Sequence, residues 1–454
     1  MPREAPRHYV TDMAHPQSRN LPERLYDALF DEDDEGRACD SIPPEACRDA
    51  PRNFFLNAAN GAASKLAEQL ASPGIVLPWV LSAIGAPVFV SGLLVPIRRA
   101  AALLPQLSIS ARIRAMPVRK KAWVGAAVLQ AAALAAMAGA VVFFQGLAGG
   151  LAVAFFLAIY SLGRGVCSVT FKDVLAKTIP QGRRGRLLGA RATSGGVLTL
   201  GAGVLLFLLV RNSSSTLPYV LLLSGAAVLW ATAAILFALI TEQPGATEGG
   251  RNALSEMKLA MVLLREDWNL VRFIGVRILL LSISLLQPFY VLHGSAVTGG
   301  QFGALALFIV ANGLANLLSS PLWGRFSDRS SRKVMAAAAV IAIITGAYAL
   351  AFPYFPRALQ TSAFYMPVFF LNGIALAGAR LGRKTYFVDY APPDRRPTYV
   401  AVSNTIVGLL TLATAGYGAI ADAISVPVLI LVLLVFLAGA GVLALRLTQV
   451  ESAA

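Results

Sequence analysis

The stretch Gly324-Arg-Phe-Ser-Asp328-Arg329-Ser-Ser-Arg332-Lys333 is a short basic turn with one carboxylate, set between two long apolar runs. Apolar runs of similar length recur from about residue 53 to residue 447. An α-helix needs about 20 apolar residues to cross ~30 Å of hydrocarbon. The turn is therefore predicted to join two membrane-spanning helices.

The composition favours the same class. The chain has 454 residues, of which 56% are hydrophobic and 14% are charged, whereas soluble domains carry about a quarter charged residues. Backbone polar groups in lipid must be satisfied within the spanning structure, and the alternating ten-residue pattern of barrel strands is absent from the sequence. These observations predict an all-α membrane protein.

Twelve spans are predicted, followed by a short C-terminal tail at 448–454. Their approximate limits are 53–81, 87–110, 122–144, 148–171, 187–210, 217–240, 268–292, 299–323, 334–353, 362–386, 398–420 and 424–446. Alternate connectors, such as 325–333 and 383–396, are rich in Arg and Lys. The positive-inside rule places these connectors and both termini in the cytoplasm. Because Arg outnumbers Lys, 31 to 8, a bacterial inner membrane is the expected location.

Residues 1–52 differ from the rest, with 12 acidic and 7 basic side chains. They are predicted to form a largely disordered cytoplasmic tail, with a docking or regulatory segment as the alternative. The three cysteines, Cys39, Cys47 and Cys167, are expected to be reduced thiols, because their spacing matches no zinc site.

Two charge clusters occur twice along the chain. Arg112 and the pair Arg119-Lys120 correspond to Arg325 and the pair Arg332-Lys333 after a shift of 213 residues. Arg164 and Asp173 similarly correspond to Arg380 and Asp389 after a shift of 216. This duplication predicts two six-helix pseudo-repeats, residues 53–240 and 268–447, joined by a cytoplasmic linker at 241–267.

The basic turn resembles the cytoplasmic loop signature of the major facilitator superfamily (MFS). Five of six signature positions match, at Gly324, Asp328, Arg329, Arg332 and Lys333, while Ser331 replaces a glycine. The resemblance implies the MFS fold, a transporter that works by alternating access, a monomer, and a substrate site between parallel repeats.

The resemblance also implies an ionic latch at the cytoplasmic side, which holds one state and breaks in the other. The alternative is that these charges only keep the loops inside. The predicted latch residues are Gly324, Asp328, Arg329, Arg332, Lys333, Arg112, Arg119, Lys120, Arg164, Asp173, Arg380 and Asp389. The first-half loop is degraded, with Ala111 and Ala115 at the glycine and aspartate positions.

The first span carries a polar row, from Asn57 and Asn60 to Lys65 and Glu68, at intervals of three and four residues. Such a row on a membrane helix must face protein or water. Lys65 and Glu68 can pair, and a buried carboxylate can carry a proton. Glu68 is therefore the predicted proton-coupling residue; a fixed Lys65–Glu68 ion pair is the alternative.

Further basic residues are predicted at depth: Arg98 and Arg99 on the second span and Arg277 on the seventh. Asn312 on the eighth span corresponds to Arg99 after a shift of 213. We therefore expect a cationic cavity that binds a small organic anion through arginine forks, unless these arginines snorkel to the interface. The predicted substrate-binding residues are Lys65, Glu68, Arg98, Arg99, Arg277 and Asn312.

Rival classes have less support in the sequence. A membrane-embedded enzyme is disfavoured because the chain has three His and no Walker-type phosphate loop, and a channel needs no duplicated latch. A lipid or drug exporter of the same fold stays open. No catalytic residue, metal site, cofactor or nucleic-acid partner is expected; the expected partners are the lipid bilayer, a small-molecule substrate and protons.

Overall fold

The computed structural model describes residues 25–26, 44–103, 113, 115–210, 216–244, 264–299, 302–392 and 396–450. Their regular elements are α-helices and three short 3₁₀ turns at Phe352–Tyr354, Arg357–Leu359 and Thr414–Gly416. The helices of the first half are α1 (Pro44–Arg48), α2 (Ala50–Leu70), α3 (Val76–Ala83), α4 (Val88–Leu103), α5 (Lys120–Phe143), α6 (Gly146–Thr178), α7 (Gln181–Val210) and α8 (Leu217–Ala238). Those of the second half are α9 (Trp268–Leu279), α10 (Ser282–Thr298), α11 (Phe302–Ala351), α12 (Ser362–Tyr390), α13 (Arg396–Ala413), α14 (Tyr417–Ala423) and α15 (Val426–Leu445).

Within the described residues, each predicted span contains helix, but the boundaries differ in ways that matter for the site. The first span breaks between α2 and α3, where Pro73 removes a backbone donor and disfavours a helical residue before it. The seventh span runs from Trp268 to Thr298 as one apolar helical stretch, because Leu280 and Leu281, which join α9 to α10, keep helical backbone angles. The tenth span, predicted to end at 386, continues as α12 to Tyr390.

The basic turn 324–333 lies within α11, which changes direction at Ser330. The backbone of Ser330 is extended (φ −166°, ψ 100°) between two helical segments. The predicted eighth and ninth spans are therefore joined by a turn of one non-helical residue. The side chain of Asp328 lies outside the described residues.

Within the described residues, eight helical stretches are long and apolar enough to cross a membrane. A ninth candidate is the pair Ala304–Ser319 and Pro321–Ser327, bent by 43°. Helix α2 falls outside this set because its polar row lowers its mean hydropathy. The chain is thus an all-helical, multi-pass membrane protein, and the number of twelve crossings stays a prediction.

The two halves pack their helices in the same pattern. In the first half, α8 packs against α2 and α5, and α6 packs against α4 and α5. In the second half, α15 packs against α9 and α11, and α12 packs along α11 on both sides of its turn. Small residues permit the close contacts; a Cβ at Gly382, for example, would lie 2.9 Å from the carbonyl oxygen of Ser331.

Part of the N-terminal region is ordered against the first half. Tyr26 is 1% exposed; its ring packs edge-on to Phe54, and the Arg183 guanidinium lies 4.7 Å from its centroid. Residues 44–48 form α1, and Pro51 lies in the first turn of α2, where proline is tolerated. These residues are therefore packed or helical, whereas the rest of the predicted tail lies outside the described residues, and its disorder stays a prediction.

The sequence led us to expect reduced cysteines, and the structure differs from this expectation at Cys47. Cys167 is a free, buried thiol, whereas Cys47 is disulfide-bonded.

Candidate functional site

The polar row of α2 divides between two environments. Asn60 donates to the carbonyl oxygen of Ala233 on α8 at 2.8 Å. Arg191 on α7 donates to the side-chain oxygens of both Asn57 and Asn60. This part of the row holds α2 against α7 and α8, so its amides serve packing between helices.

Glu68 lies further along α2 and pairs with an arginine from another helix. Its carboxylate is 2.6 Å from an Nη atom of Arg164 on α6. The two side chains are 18% and 31% exposed, with Glu68 the more buried. The predicted Lys65–Glu68 pair is therefore replaced by a Glu68–Arg164 pair in this structure.

Other cations surround this pair. Lys65, Arg98 and Arg191 lie within electrostatic range of the Glu68 carboxylate. Arg380, from α12 in the second half, lies within range of both Lys65 and Glu68. The site thus contains more positive than negative side chains, and it spans the boundary between the halves.

Consecutive arginines on α4 serve different sides of the site. The guanidinium of Arg98 lies 4.9 Å from the ring centroid of Tyr160 on α6, within the first half. Arg99 donates from Nη2 to Ser284 Oγ on α10 at 2.6 Å. Neighbouring residues on a helix diverge by about 100°, so α4 presents one arginine to each half.

Arg277 on α9 is buried and held in place by neutral groups of α13. It donates to Ser403 Oγ and, at 2.9 Å, to Asn404 Oδ1. Its Nε is buried without a hydrogen-bond partner among the described residues. These hydrogen bonds therefore fix the orientation of the positively charged guanidinium of Arg277.

Helix α12 contributes three cations that the sequence did not place in the site as a group. Arg380 was predicted as a latch residue, and Arg383 and Lys384 were assigned to the basic connector 383–396. Arg383 and Lys384 fall where the predicted span 362–386 and the predicted connector overlap; in the structure all three cations lie on α12, at intervals of three and four residues that share a face. Arg383 lies within electrostatic range of Arg99, Arg277 and Arg380.

The predicted residue Asn312 lies on α11 beside α12. It is 6% exposed, and its side-chain oxygen has no partner among the described residues. One turn later, Asn316 accepts a hydrogen bond from Arg380 at 3.3 Å.

The predicted latch residues of the first half hold that half together. Arg119 pairs with Asp173 on α6 at 3.2 Å, and Lys120 Nζ donates to the carbonyl oxygens of Ala238 and Ile240 at the end of α8. Arg164, predicted as a latch residue, instead pairs with Glu68. Arg112 lies outside the described residues.

In the second half, Arg332 donates to the carbonyl oxygen of Leu447 and to Gln449 Oε1, both at 3.0 Å. These acceptors lie just beyond α15, so Arg332 reaches the end of that helix. Arg329, Lys333 and Asp389 are exposed near the same end. We call the side of the molecule that carries Lys120 and Arg332 the loop end.

The two halves approach each other closely away from the loop end. A Cβ at Gly92 on α4 would lie 2.4 Å from the Cα of Gly418 on α14. The backbone N–H of Phe89 donates to Asp422 Oδ2 at 2.9 Å. By contrast, Lys65 and Arg380 are exposed although they lie within electrostatic range of each other across the halves. These cations therefore face an accessible cavity between the halves.

Five of the six predicted substrate-binding residues thus lie about this cavity: Lys65, Glu68, Arg98, Arg99 and Arg277. Sequence reasoning missed Arg383 and Lys384 in the site, and Arg164 as the partner of Glu68. The spacing of Arg380, Arg383 and Lys384 could have revealed the first two. Arg164 lies 96 residues from Glu68, and no local pattern connects them.

A multi-pass helical protein with a charged cavity between two similar halves has the architecture of a membrane carrier. Residues 272–454 match the family model of the Major Facilitator Superfamily, which confirms the resemblance carried by the basic turn.

The curated relatives are an uncharacterized protein of Mycobacterium bovis (strain ATCC BAA-935 / AF2122/97) and two of Mycobacterium tuberculosis. Each is 27% identical over 281 residues, which is 60% of this chain and 53% of the relative. The chain therefore spans about half the length of the curated relatives it matches.

Solved transporter structures share the fold. A mutant of the nucleoside transporter NupG superposes with a TM-score of 0.66 at 13% identity, over 86% of this chain and 99% of that one. A POT family transporter in complex with a thioalcohol-conjugated peptide gives 0.65 at 12% identity, over 90% and 98%. A D-xylose-proton symporter gives 0.62 at 13% identity, over 88% and 98%.

Proposed function

We propose that the protein is a secondary active transporter that moves a small organic anion by alternating access, coupled to protons through Glu68. The observation that carries this proposal is the Glu68–Arg164 pair, surrounded by cations from both halves in a cavity between them. Buried charges are costly unless they face water, a partner or a ligand.

The proposed moving parts are two six-helix bundles, residues 53–240 and 268–447, joined by the linker 241–267. The matching helix packing of the two halves supports this division. Contacts such as Gly92 against Gly418 close one end of the boundary between the bundles, while exposed cations such as Lys65 and Arg380 mark the loop end as open. The basic residues of the loop end support a cytoplasmic placement in an inner membrane.

The preference for an anion follows from the charge balance. Lys65, Arg98 and Arg380 all lie within range of a single carboxylate that already has Arg164 as its partner. Arginine forks bind carboxylate and phosphate oxygens through paired, charge-assisted hydrogen bonds. A cationic solute would instead meet repulsion at this site.

Proton coupling follows from the Glu68–Arg164 contact. While Glu68 is ionised, it occupies the guanidinium that an anionic substrate would bind. Protonation of Glu68 removes the competing charge and frees Arg164, so proton and substrate favour each other's binding. The D-xylose-proton symporter shares the fold, which is therefore compatible with this coupling.

The test is uptake by proteoliposomes under an imposed pH gradient, using labelled succinate, citrate and glucose 6-phosphate, with spermidine as the cationic comparison. We expect at least one anion, and not spermidine, to accumulate in a manner that depends on the gradient. Glu68→Gln should abolish the dependence on the gradient while equilibrative exchange persists.

The matched control is Glu45→Gln, which neutralises an exposed carboxylate on α1 and should behave as wild type. Full gradient-driven accumulation by Glu68→Gln would remove the proton role from this residue. Transport of spermidine in preference to the anions would remove the anion assignment.

A further inference from the structure

The cations of the cavity form two groups, to which α4 contributes one arginine each, and Arg380 lies within electrostatic range of both groups. One group surrounds Glu68 and includes Lys65, Arg98 and Arg164. The other consists of Arg99, Arg277 and Arg383, contributed by α4 in the first half and by α9 and α12 in the second. The two groups have different charge balances.

The second group has no carboxylate acting on it among the described residues. Arg99 and Arg277 bond to hydroxyl and amide oxygens of Ser284, Ser403 and Asn404. The charges that act on Arg99 and Arg277 are those of other arginines. Hydrogen bonds to neutral groups orient a guanidinium without cancelling its charge.

Three guanidiniums that repel one another in a partly buried environment are stabilised by a bound anion. The Nε of Arg277 is buried without a partner among the described residues, so hydrogen-bonding capacity is also unfilled there. One negative charge would leave most of the positive charge uncompensated, whereas a group with two would neutralise most of it.

We propose that Arg99, Arg277 and Arg383 form an anion subsite, assembled across the two halves, that takes a doubly charged group or the second carboxylate of a substrate. The substrate then carries at least two negative charges. This inference rests on the proposed transport of anions and specifies the class: organic phosphates and di- or tricarboxylates rather than monocarboxylates.

The subsite also has a mechanical consequence. Its arginines come from both halves, so a multivalent anion lowers the repulsion that resists their approach. A monovalent anion does so less effectively. The valence of the solute would therefore set how readily the loaded carrier closes around it.

The experiment measures thermal unfolding of the purified full chain in detergent, at constant ionic strength, in chloride, butyrate, succinate, phosphate and pyrophosphate. A ligand that binds only the folded state raises the unfolding temperature. We expect the temperature to rise with anion valence, and succinate to stabilise more than butyrate, which has the same number of carbon atoms.

Three variants locate the effect. Arg99→Gln, Arg277→Gln and Arg383→Gln should each weaken apparent binding of pyrophosphate at least about tenfold, since hydrogen bonds to charged groups contribute roughly 1.5–3 kcal/mol. Arg357→Gln removes an exposed arginine outside the cavity and should keep the wild-type response. Should Arg277→Gln fail to fold, Arg383→Gln decides, because the Arg383 side chain forms no hydrogen bond or ion pair among the described residues.

The proposal would be overturned if the unfolding temperature did not depend on the valence of the added anion. It would also be overturned if pyrophosphate raised the unfolding temperature equally in Arg383→Gln and Arg357→Gln. A phosphate group could also come from a lipid headgroup, so phosphatidic acid in mixed micelles forms a separate arm. Stabilisation by phosphatidic acid and not by soluble anions would assign the subsite to a lipid. Anion binding is measured in detergent, where no gradient exists. A failure of the proposed subsite can therefore be distinguished from a failure of gradient-driven uptake.

Discussion

The close approach of Gly92 and Gly418 makes a prediction about the conformational equilibrium. A Cβ at Gly92 would lie 2.4 Å from the Cα of Gly418 and 2.7 Å from its nitrogen. Carbon atoms in contact lie about 3.5–4.0 Å apart, so α4 and α14 must separate by more than about 1 Å. Neither group is a flexible side chain that could rotate away.

The expected magnitude follows from the cost of overpacking, which is typically about 1–3 kcal/mol. Because the strain exists only where α4 and α14 touch, Gly92→Ala should disfavour the observed state relative to one in which this end opens. A change of about 1.4 kcal/mol is tenfold in an equilibrium constant, so the population ratio should shift by roughly 5- to 150-fold.

The assay is modification of a cysteine placed at Lys384, an exposed residue of α12 on the face that carries Arg380 and Arg383. A membrane-impermeant maleimide is added to the loop end or to the opposite end of oriented vesicles, with Cys167 replaced by Ala. We expect Gly92→Ala to slow labelling from the loop end and to speed labelling from the opposite end.

The matched control is Gly125→Ala on α5, where a Cβ meets nothing within 4 Å. Both variants add one methyl group to a helical glycine, so they share the effect on helix propensity. Identical labelling of Gly92→Ala and Gly125→Ala would refute the reasoning, because the strain would then not be coupled to opening.

Two further predictions concern stability at the loop end. The Glu242 carboxylate is fully buried and accepts hydrogen bonds from the backbone of Arg119 and Lys120 and from Lys177 Nζ. Glu242→Ala should therefore lower the free energy of unfolding by roughly 3 kcal/mol, measured by thermal unfolding. A loss below about 0.5 kcal/mol would contradict this role. Tyr26→Ala should speed limited proteolysis near residue 26 several-fold, with little change in global unfolding. The control is Tyr354→Ala, since Tyr354 is 89% exposed. Equal proteolysis of the two variants would contradict the packing of Tyr26 against the first half.

The sequence predicts the helices well because each buried or lipid-facing helix needs a long apolar run. It does not predict where a helix breaks inside such a run. The gap between α2 and α3 has a local cause in Pro73 and Gly74. Discontinuous helices in membrane carriers commonly border the substrate site, and this gap follows α2, which carries the site residues Lys65 and Glu68.

The candidate site was predictable in its composition more than in its contacts. Periodicity shows that Asn57, Asn60, Lys65 and Glu68 share a face of α2, yet their partners differ. The asparagines bond to α7 and α8, while Glu68 bonds to Arg164. Which helix lies opposite each turn depends on tertiary packing, and periodicity carries no information about it.

Arg383 was missed for a related reason. A basic run next to a predicted helix end is typical of a cytoplasmic connector, and the hydropathy of α12 falls near residue 386. The helix nevertheless continues to Tyr390, because its last turns are packed; Tyr386 is buried, and Tyr390 stacks on it with ring centroids 5.7 Å apart. Arg383 and Lys384, which the predicted span 362–386 and the predicted connector 383–396 both include, therefore lie on a helix face beside the cavity and not in a loop.

The basic residues of the loop end suggest how such a carrier can move. In the first half Lys120, at the start of α5, donates to carbonyl oxygens at the end of α8. In the second half Arg332, just after the turn in α11, donates to carbonyl oxygens at the end of α15. Each contact joins the third predicted span of a half to its sixth and last span. In each case the basic side chain forms hydrogen bonds with carbonyl groups that have no partner within their own helix. These contacts therefore brace each half internally in the observed structure. Under the proposed alternating access, in which rigid bundles rotate, they would keep each bundle rigid, and the predicted latch between the bundles would form in the opposite state.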